Sequence, residues 1–193
     1  MKLIIASNNA HKIQEIKEIL SGKFSEILSL KEAGVTHETV EDGTTFLENS
    51  RKKASEIAAL TGCAALADDS GLCVDALGGA PGIYSARFAG EGSKELRDGA
   101  NNALLLAKLE GESDRKAHFT CAMTLVYPDG REVCAEGYMH GEILTSARGK
   151  CGFGYDPLFL PLGENRSVAE MSEEEKNSIS HRANALKKLL EKI

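Results

Sequence analysis

The apolar positions of this chain change period repeatedly, and each change predicts an element. The run KLIIAS (2–7) is short and almost continuously apolar, which predicts a buried strand. In the following NNAHKIQEIKEILSG, Ile13, Ile16, Ile19 and Leu20 recur at helical spacing and Gly22 supplies a stop. EILSL (26–30) reads as a second strand, so the chain opens β-α-β. Thr45-x-x-Glu48 is a capping-box pattern for a helix reaching about Leu60, with Gly62 ending it. CAALA (63–67) predicts a third strand, and LCVDAL (72–77) begins a short extended piece. GGAPG (78–82) is expected to be a loop, and a helix is expected from about Ser93 to Leu109, carrying Leu104, Leu105, Leu106 and Leu109. AHFTCAMTLVYPDGREVCAEGYMHG predicts a hairpin with Phe119, Cys121, Met123 and Leu125 on one face and PDG as its turn. Ser172-x-x-Glu175 is a second capping box, heading a last helix whose stripe is Ile179, Ala183, Leu186, Leu190 and Ile193. Strands and helices in this order predict an α/β or α+β domain. No repeat, low-complexity block or Pro/Ser-rich linker divides residues 1–193, so a single domain is expected.

Composition narrows the function. A formal net charge of −6 argues against a basic groove along a nucleic-acid backbone. With 5% aromatics and no Trp, a stacking platform for single strands is not expected either. One phosphorylated small molecule needs only a few local cations and stays open. The apolar run LIIA is far too short to span a membrane, and no signal-like segment precedes the first strand. The five cysteines are widely spaced and odd in number, with no C-x-x-C pair. Buried free thiols in a reducing cytoplasm are therefore expected.

Five stretches carry chemistry. SNNAHK (Ser7, Asn8, Asn9, Ala10, His11, Lys12) lies where a strand meets a helix, so free backbone N–H groups and the positive end of a helix dipole meet there. The plainer reading is an ordinary N-cap by Asn8 or Asn9 with Lys12 in solvent. ETVEDGTTFLENSRKKA (38–54) places Glu41 and Asp42 before a helix that carries Arg51, Lys52 and Lys53. Three consecutive cations are usually a solvated face, but Lys53 follows Phe46 and Asn49 at spacing that allows it to share their face instead of pointing outward. ADDSG sets Asp68 and Asp69 side by side; adjacent residues of a strand point to opposite faces, so both reach one site only at a strand end. Such a pair serves equally as a turn or as hard oxygens for Mg²⁺ beside a phosphate. GFGYDPLF (152–159) offers the flat rings of Phe153 and Tyr155 between glycines, or an ordinary turn. In EKNSISHRANALKK, Lys176 falls on the extension of the apolar stripe, while Arg182 reads by default as a surface cation.

Together these residues form an inventory for a Mg²⁺-bound polyphosphate carrying an aromatic base. SNNAHK, EDGTTFLENSRKKA, ADDSGLCVDALGGAPGIYSARFAG, FGYDPLF and EKNSISHRANALKK, in this order from Leu3 to about Lys188, resemble the inosine triphosphate pyrophosphatase family, the house-cleaning dITP/XTP pyrophosphatases. Ser7 stands where many members have Thr, keeping the hydroxyl. The resemblance implies an elongated α/β fold with a central mixed β-sheet flanked by helices and a nucleotide cleft between two lobes, usually as a homodimer. It implies Mg²⁺-dependent hydrolysis of non-standard purine nucleoside triphosphates (ITP, dITP, XTP) to the monophosphate and pyrophosphate. It further implies that Ser7, Asn8, Asn9, Ala10, His11 and Lys12 hold the triphosphate with help from Lys53, and that Glu41 and Asp69 bind metal, with Asp68 beside them. Asp69 would accept the proton, and Ser70 would contact substrate. Phe153, Gly154, Tyr155, Asp156, Lys176, His181 and Arg182 would recognise the base and make the remaining contacts.

Two other classes compete. A silent nucleotide-binding or sensor protein would keep the lysines and the base loop but need not keep Asp69 with Glu41. A haloacid-dehalogenase-type phosphatase should carry D-x-D after the first strand, where this chain has SNN.

Overall fold

The computed structural model describes residues 1–90 and 94–193. Six strands, β1 (Lys2–Ile5), β2 (Glu26–Ser29), β3 (Ala64–Val74), β4 (Lys116–Val126), β5 (Glu132–Ile143) and β6 (Phe159–Pro161), pair in the order β2-β1-β3-β4-β5-β6. β1 is parallel to β2, with Leu3 opposite Ile27, and parallel to β3, with Leu3 opposite Ala64. β6 is antiparallel to β5, so the sheet is mixed and flanked by helices, as expected of an α/β fold. Among the described residues no helix is long and apolar enough to cross a membrane. The chain groups into two compact units, one of residues 1–69, 121–137 and 182–193, the other of residues 70–120 and 138–181.

The first unit follows from the β-α-β opening. Asn9 caps α1 (Ala10–Ile19) by accepting from the His11 N–H, and Thr45 caps α2 (Phe46–Thr61) by accepting from the Glu48 N–H. The Glu48 carboxylate accepts chiefly from the Thr44 N–H and hydroxyl, so the second half of the predicted capping box sits one residue upstream. Gly62 then ends α2 in the left-handed conformation, at φ 62°. Strands buried on both faces read as continuous apolar runs, and alternation sorts their side chains between two layers. Leu3, Ile5, Ala64 and Leu66 pack with Ile16 and Leu20 of α1 and with Leu186 and Leu189 of α5 (His181–Leu190). Ile4, Ala6, Ala65 and Ala67 pack with Ala54, Ile57 and Ala58 of α2.

The second unit packs Leu72 and Val74 of β3, Leu105 and Leu109, Phe119 of β4, Met139 and Ile143 of β5, and Leu158 and Phe159. Its helix α3 spans Lys94–Lys108; the expected start at Ser93 lies outside the described residues.

Four expectations are corrected. β3 does not end at Ala67: Ala64–Val74 is one strand, and Asp68 and Asp69 lie inside it. The last helix is two, α4 (Glu173–Ile179) with the expected cap at Ser172, then α5, separated by Ser180 in an extended conformation. Phe119 belongs to a different cluster from Cys121, Met123 and Leu125. Of the cysteines expected to be buried, only Cys121 is fully buried and Cys151 is exposed.

Candidate active site

The continuity of β3 decides how its two carboxylates are used. Side chains 64 and 66 face α1 and α5 while 65 and 67 face α2, so alternation sends Asp68 to the first side and Asp69 to the second. Their partners agree. Asp68 pairs with Lys12 of α1 at 2.8 Å and with Arg182 Nε of α5 at 3.5 Å. Asp69 lies 3.7 Å from Lys53 Nζ of α2 and accepts a 3.0 Å hydrogen bond from the Asn49 side-chain amide on the same helix.

On the Asp68 side the cations expected at the surface turn inward, Arg182 fully and Lys12 in part. Arg182 is 1% exposed and its guanidinium is gripped by Glu15 through Nη1 and by Asp68 through Nε. Lys12, expected in solvent on the plainer reading, has a side chain only 17% exposed. Burial alone would raise the Asp68 carboxyl, but Lys12, Arg182 and Lys53 outweigh it and hold it well below the usual carboxylate range. Burial opposes the charge of Arg182 as well, and Asp68 and Glu15 overcome it, keeping the guanidinium firmly protonated.

On the Asp69 side, three cations in a row divide as helical periodicity demands. Arg51 and Lys52 point outward to Glu132 and Asp42 in exposed pairs, while Lys53 turns in. Lys53 Nζ donates to Glu41 Oε1 at 2.7 Å, so one ammonium is shared by Glu41 and Asp69. Burial disfavours the Lys53 charge, but Asp69, Asp68 and Glu41 hold it above the ordinary lysine range. Asp69 behaves oppositely to Asp68. Burial pushes its carboxyl up, Glu41 adds to that rise, and Lys53, Lys12 and the Asn49 amide offset only part of it. Two neighbouring carboxylates thus have different acidities, the arrangement that separates a fixed anion from a proton acceptor. Among the described residues no three His, Cys, Asp or Glu side chains form a metal-ligand group.

Ser7 accepts from the Asn9 N–H, and Asn8, Ala10 and His11 are exposed at the start of α1. The remaining candidates belong to the second unit. Gly152 and Gly154 adopt φ 76° and 62°, and a Cβ on Gly152 would clash with Asp156 Oδ2. Asp156 accepts from the Phe153 N–H at 2.9 Å and pairs with Lys176 at 2.8 Å, and the Lys176 ammonium lies 4.4 Å from the Phe153 ring centroid. Tyr155 donates from its hydroxyl to the Ser85 carbonyl and is buried, which pushes its phenol up. His181 stacks on Phe119 at 4.9 Å, and Ser70 is half-buried on β3. The structure therefore gathers Lys12, Glu41, Lys53, Asp68, Asp69 and Arg182 in one unit, and Phe153, Tyr155, Asp156 and Lys176 in the other.

Glu15 and Asn49 escape the sequence reading. Each is legible by helical spacing, since Glu15 follows Lys12 by three and Asn49 precedes Lys53 by four.

The family model described as the Ham1 family matches residues 3–192 of this chain. A protein of an Exiguobacterium species named dITP/XTP pyrophosphatase is 51% identical over 189 residues, covering 98% of this chain and 95% of that one. One of the same name from Clostridium perfringens is 50% identical over 200 residues, covering 100% and 97%. The solved HAM1 protein from Coxiella burnetii superposes with a TM-score of 0.89 at 37% identity, covering 100% of both chains.

Proposed function

This chain belongs to the Ham1 family, and from that membership we propose that it is a nucleoside-triphosphate pyrophosphatase. In this reading it hydrolyses non-standard purine nucleoside triphosphates, of the ITP, dITP and XTP class, to the monophosphate and pyrophosphate. The relatives' shared name supports the reaction. The observation that carries it onto residues is the Asp69 centre: a buried carboxyl pushed up, fixed by Asn49, and sharing the Lys53 ammonium with Glu41.

Each residue then has a physical task. Asp69 takes the proton of a water that attacks the α-phosphorus, and its raised pKa makes it the better acceptor. The new oxygen–phosphorus bond forms as the bond to the bridging oxygen of pyrophosphate breaks. Lys53, Lys12 and the N-terminal end of α1 offset the charge that grows on the leaving group. Glu41 and Asp69 fit a Mg²⁺ ion, since one or two carboxylates plus substrate phosphates are its usual hard-oxygen set, and they already share one cation through Lys53. Bound there, Mg²⁺ supplies Lewis-acid stabilisation of the phosphates. Phe153, Asp156, Lys176 and His181 receive the base. Arg182, its plane fixed by Glu15 and Asp68, donates to a 6-oxo group. Adenine brings an amino donor instead, which a donor-lined site rejects strongly. A cytoplasmic homodimer completes the proposal, and sedimentation at twice the mass of one chain checks the dimer.

The deciding assay is a nucleotide panel with Mg²⁺, scored for pyrophosphate against orthophosphate. Pyrophosphate from ITP or XTP with little from ATP, abolished by EDTA and restored by Mg²⁺, is the expected result. Orthophosphate release, or tight binding without turnover, overturns the reading, and undiminished activity in EDTA removes the metal from it.

A further inference from the structure

The loop assigned to the base is clamped from one face of α3. Gly154, at φ 62°, presents both polar groups of its backbone to α3. Its N–H donates to Asp98 Oδ2 at 2.8 Å, and its carbonyl accepts from Asn102 Nδ2 at 2.9 Å. Asp98 and Asn102 are one helical turn apart, so they stand on one face of α3 and act on Gly154 as a neighbouring strand would. A Cβ on Gly154 would meet nothing within 4 Å, so glycine serves the backbone angle there and not close packing. Residues on either side of Gly154 carry the base-facing groups. Phe153 lies beneath the Lys176 ammonium, and Asp156 fixes that ammonium while accepting from the Phe153 N–H. The same helix also anchors the opposite support of the loop. Asn101 donates to the Ser85 and Ala86 carbonyls and accepts from the Ala89 N–H, and the Ser85 carbonyl is the acceptor for the Tyr155 hydroxyl.

We propose that Asp98 and Asn102 are positioning residues that hold the Gly154 peptide and thereby set affinity for the purine base. The inference rests on the reading of the base loop given above. Asp98 touches no reacting atom in it; the carboxylate acts only through the Gly154 N–H, a charge-assisted bond of the stronger kind.

The test compares Asp98→Ala, Asn102→Ala and the conservative Asp98→Asn, which keeps an acceptor oxygen. For Asp98→Ala the KM for ITP is expected to rise about tenfold, the scale of one lost hydrogen bond to a charged group, with kcat within about twofold. Asp98→Asn recovers most of that rise, and Asn102→Ala gives a smaller one because its bond is neutral. Unchanged KM in both alanine variants, or a fall in kcat with KM constant, overturns the clamp. If the wild-type chain releases no pyrophosphate from any triphosphate, the functional reading itself fails. The clamp is then judged by hydrogen exchange at the Gly154 N–H: about tenfold faster exchange in Asp98→Ala upholds it, and unchanged exchange overturns it.

Discussion

Replacing Arg182 by Met removes a buried charge while keeping the aliphatic stem that packs around it. Arg182 is 1% exposed, and the side chain of Asp68 is 0% exposed. The substitution takes a charged partner from Asp68 and Glu15 at once and leaves Lys12 to hold Asp68 at 2.8 Å. Breaking a buried ion pair from one side costs about 3–5 kcal/mol, and the remaining lysine places this case near the lower end, about 3 kcal/mol. At about 2–4 °C per kcal/mol for a chain of this size, Tm should fall by about 6–12 °C. Calorimetry measures it, with Arg131→Met as control, because the Arg131–Asp129 pair is exposed and screened by solvent. The pH dependence has a definite sign. Asp68 is held low by its cations, so its contribution is full above the unfolded carboxylate range and is lost as pH falls toward its folded value. Removing Arg182 shrinks that contribution, so the gap between wild type and variant should narrow between about pH 7 and pH 3. A Tm loss below about 2 °C at neutral pH, or a gap that widens in acid, refutes the reasoning.

Asp69→Asn should lower kcat for ITP by about a hundredfold or more while nucleotide binding persists; retained turnover removes Asp69 as proton acceptor. Asn49→Ala takes a donor from the Asp69 carboxylate, which lets the carboxyl rise further. With Asp69 as the proposed proton acceptor, turnover requires it ionised, so the acid limb of kcat/KM should move to higher pH, and an unmoved limb breaks the link between the two residues. Thiol titration of the folded chain should label Cys151 first and Cys121 only on unfolding, matching their exposure; prompt labelling of Cys121 contradicts its place in the core.

Local order was legible wherever a cap and a stripe agreed, as at Thr45 with Gly62 and at Ser172. The continuity of β3 was not, because two acids, a serine and a glycine in succession have low strand propensity. Pairing with neighbouring strands overrides that preference, and the run continues to Val74. Ser180 shows a signal outweighed by another. A serine before a helix is a good cap, but the apolar stripe running past it reads as one uninterrupted helix. The burial of Arg182 had no local signal, since its carboxylates lie 114 and 167 residues away and a helical arginine is exposed by default. Lys53 was separable from Arg51 and Lys52 because helical phase alone distinguishes them. The motif resemblance picked out most of the residues that the fold brings together; Glu15 and Asn49 carry only a helical-spacing signal, while Asp98 and Asn102 come only from the contacts.

The alternation along β3 makes this strand intolerant of a change that composition would never reveal. Deleting one alanine from CAALA leaves every charged side chain present, yet shifts the strand by one pleat. Asp68 would then look toward Lys53 and Glu41, and Asp69 toward Lys12 and Arg182. An anchor whose acidity is set by two firm cations would have traded places with a carboxyl that burial makes readier to hold a proton. The strand works as a partition that keeps two chemically identical side chains from doing each other's work, and its register, more than its residues, tells them apart.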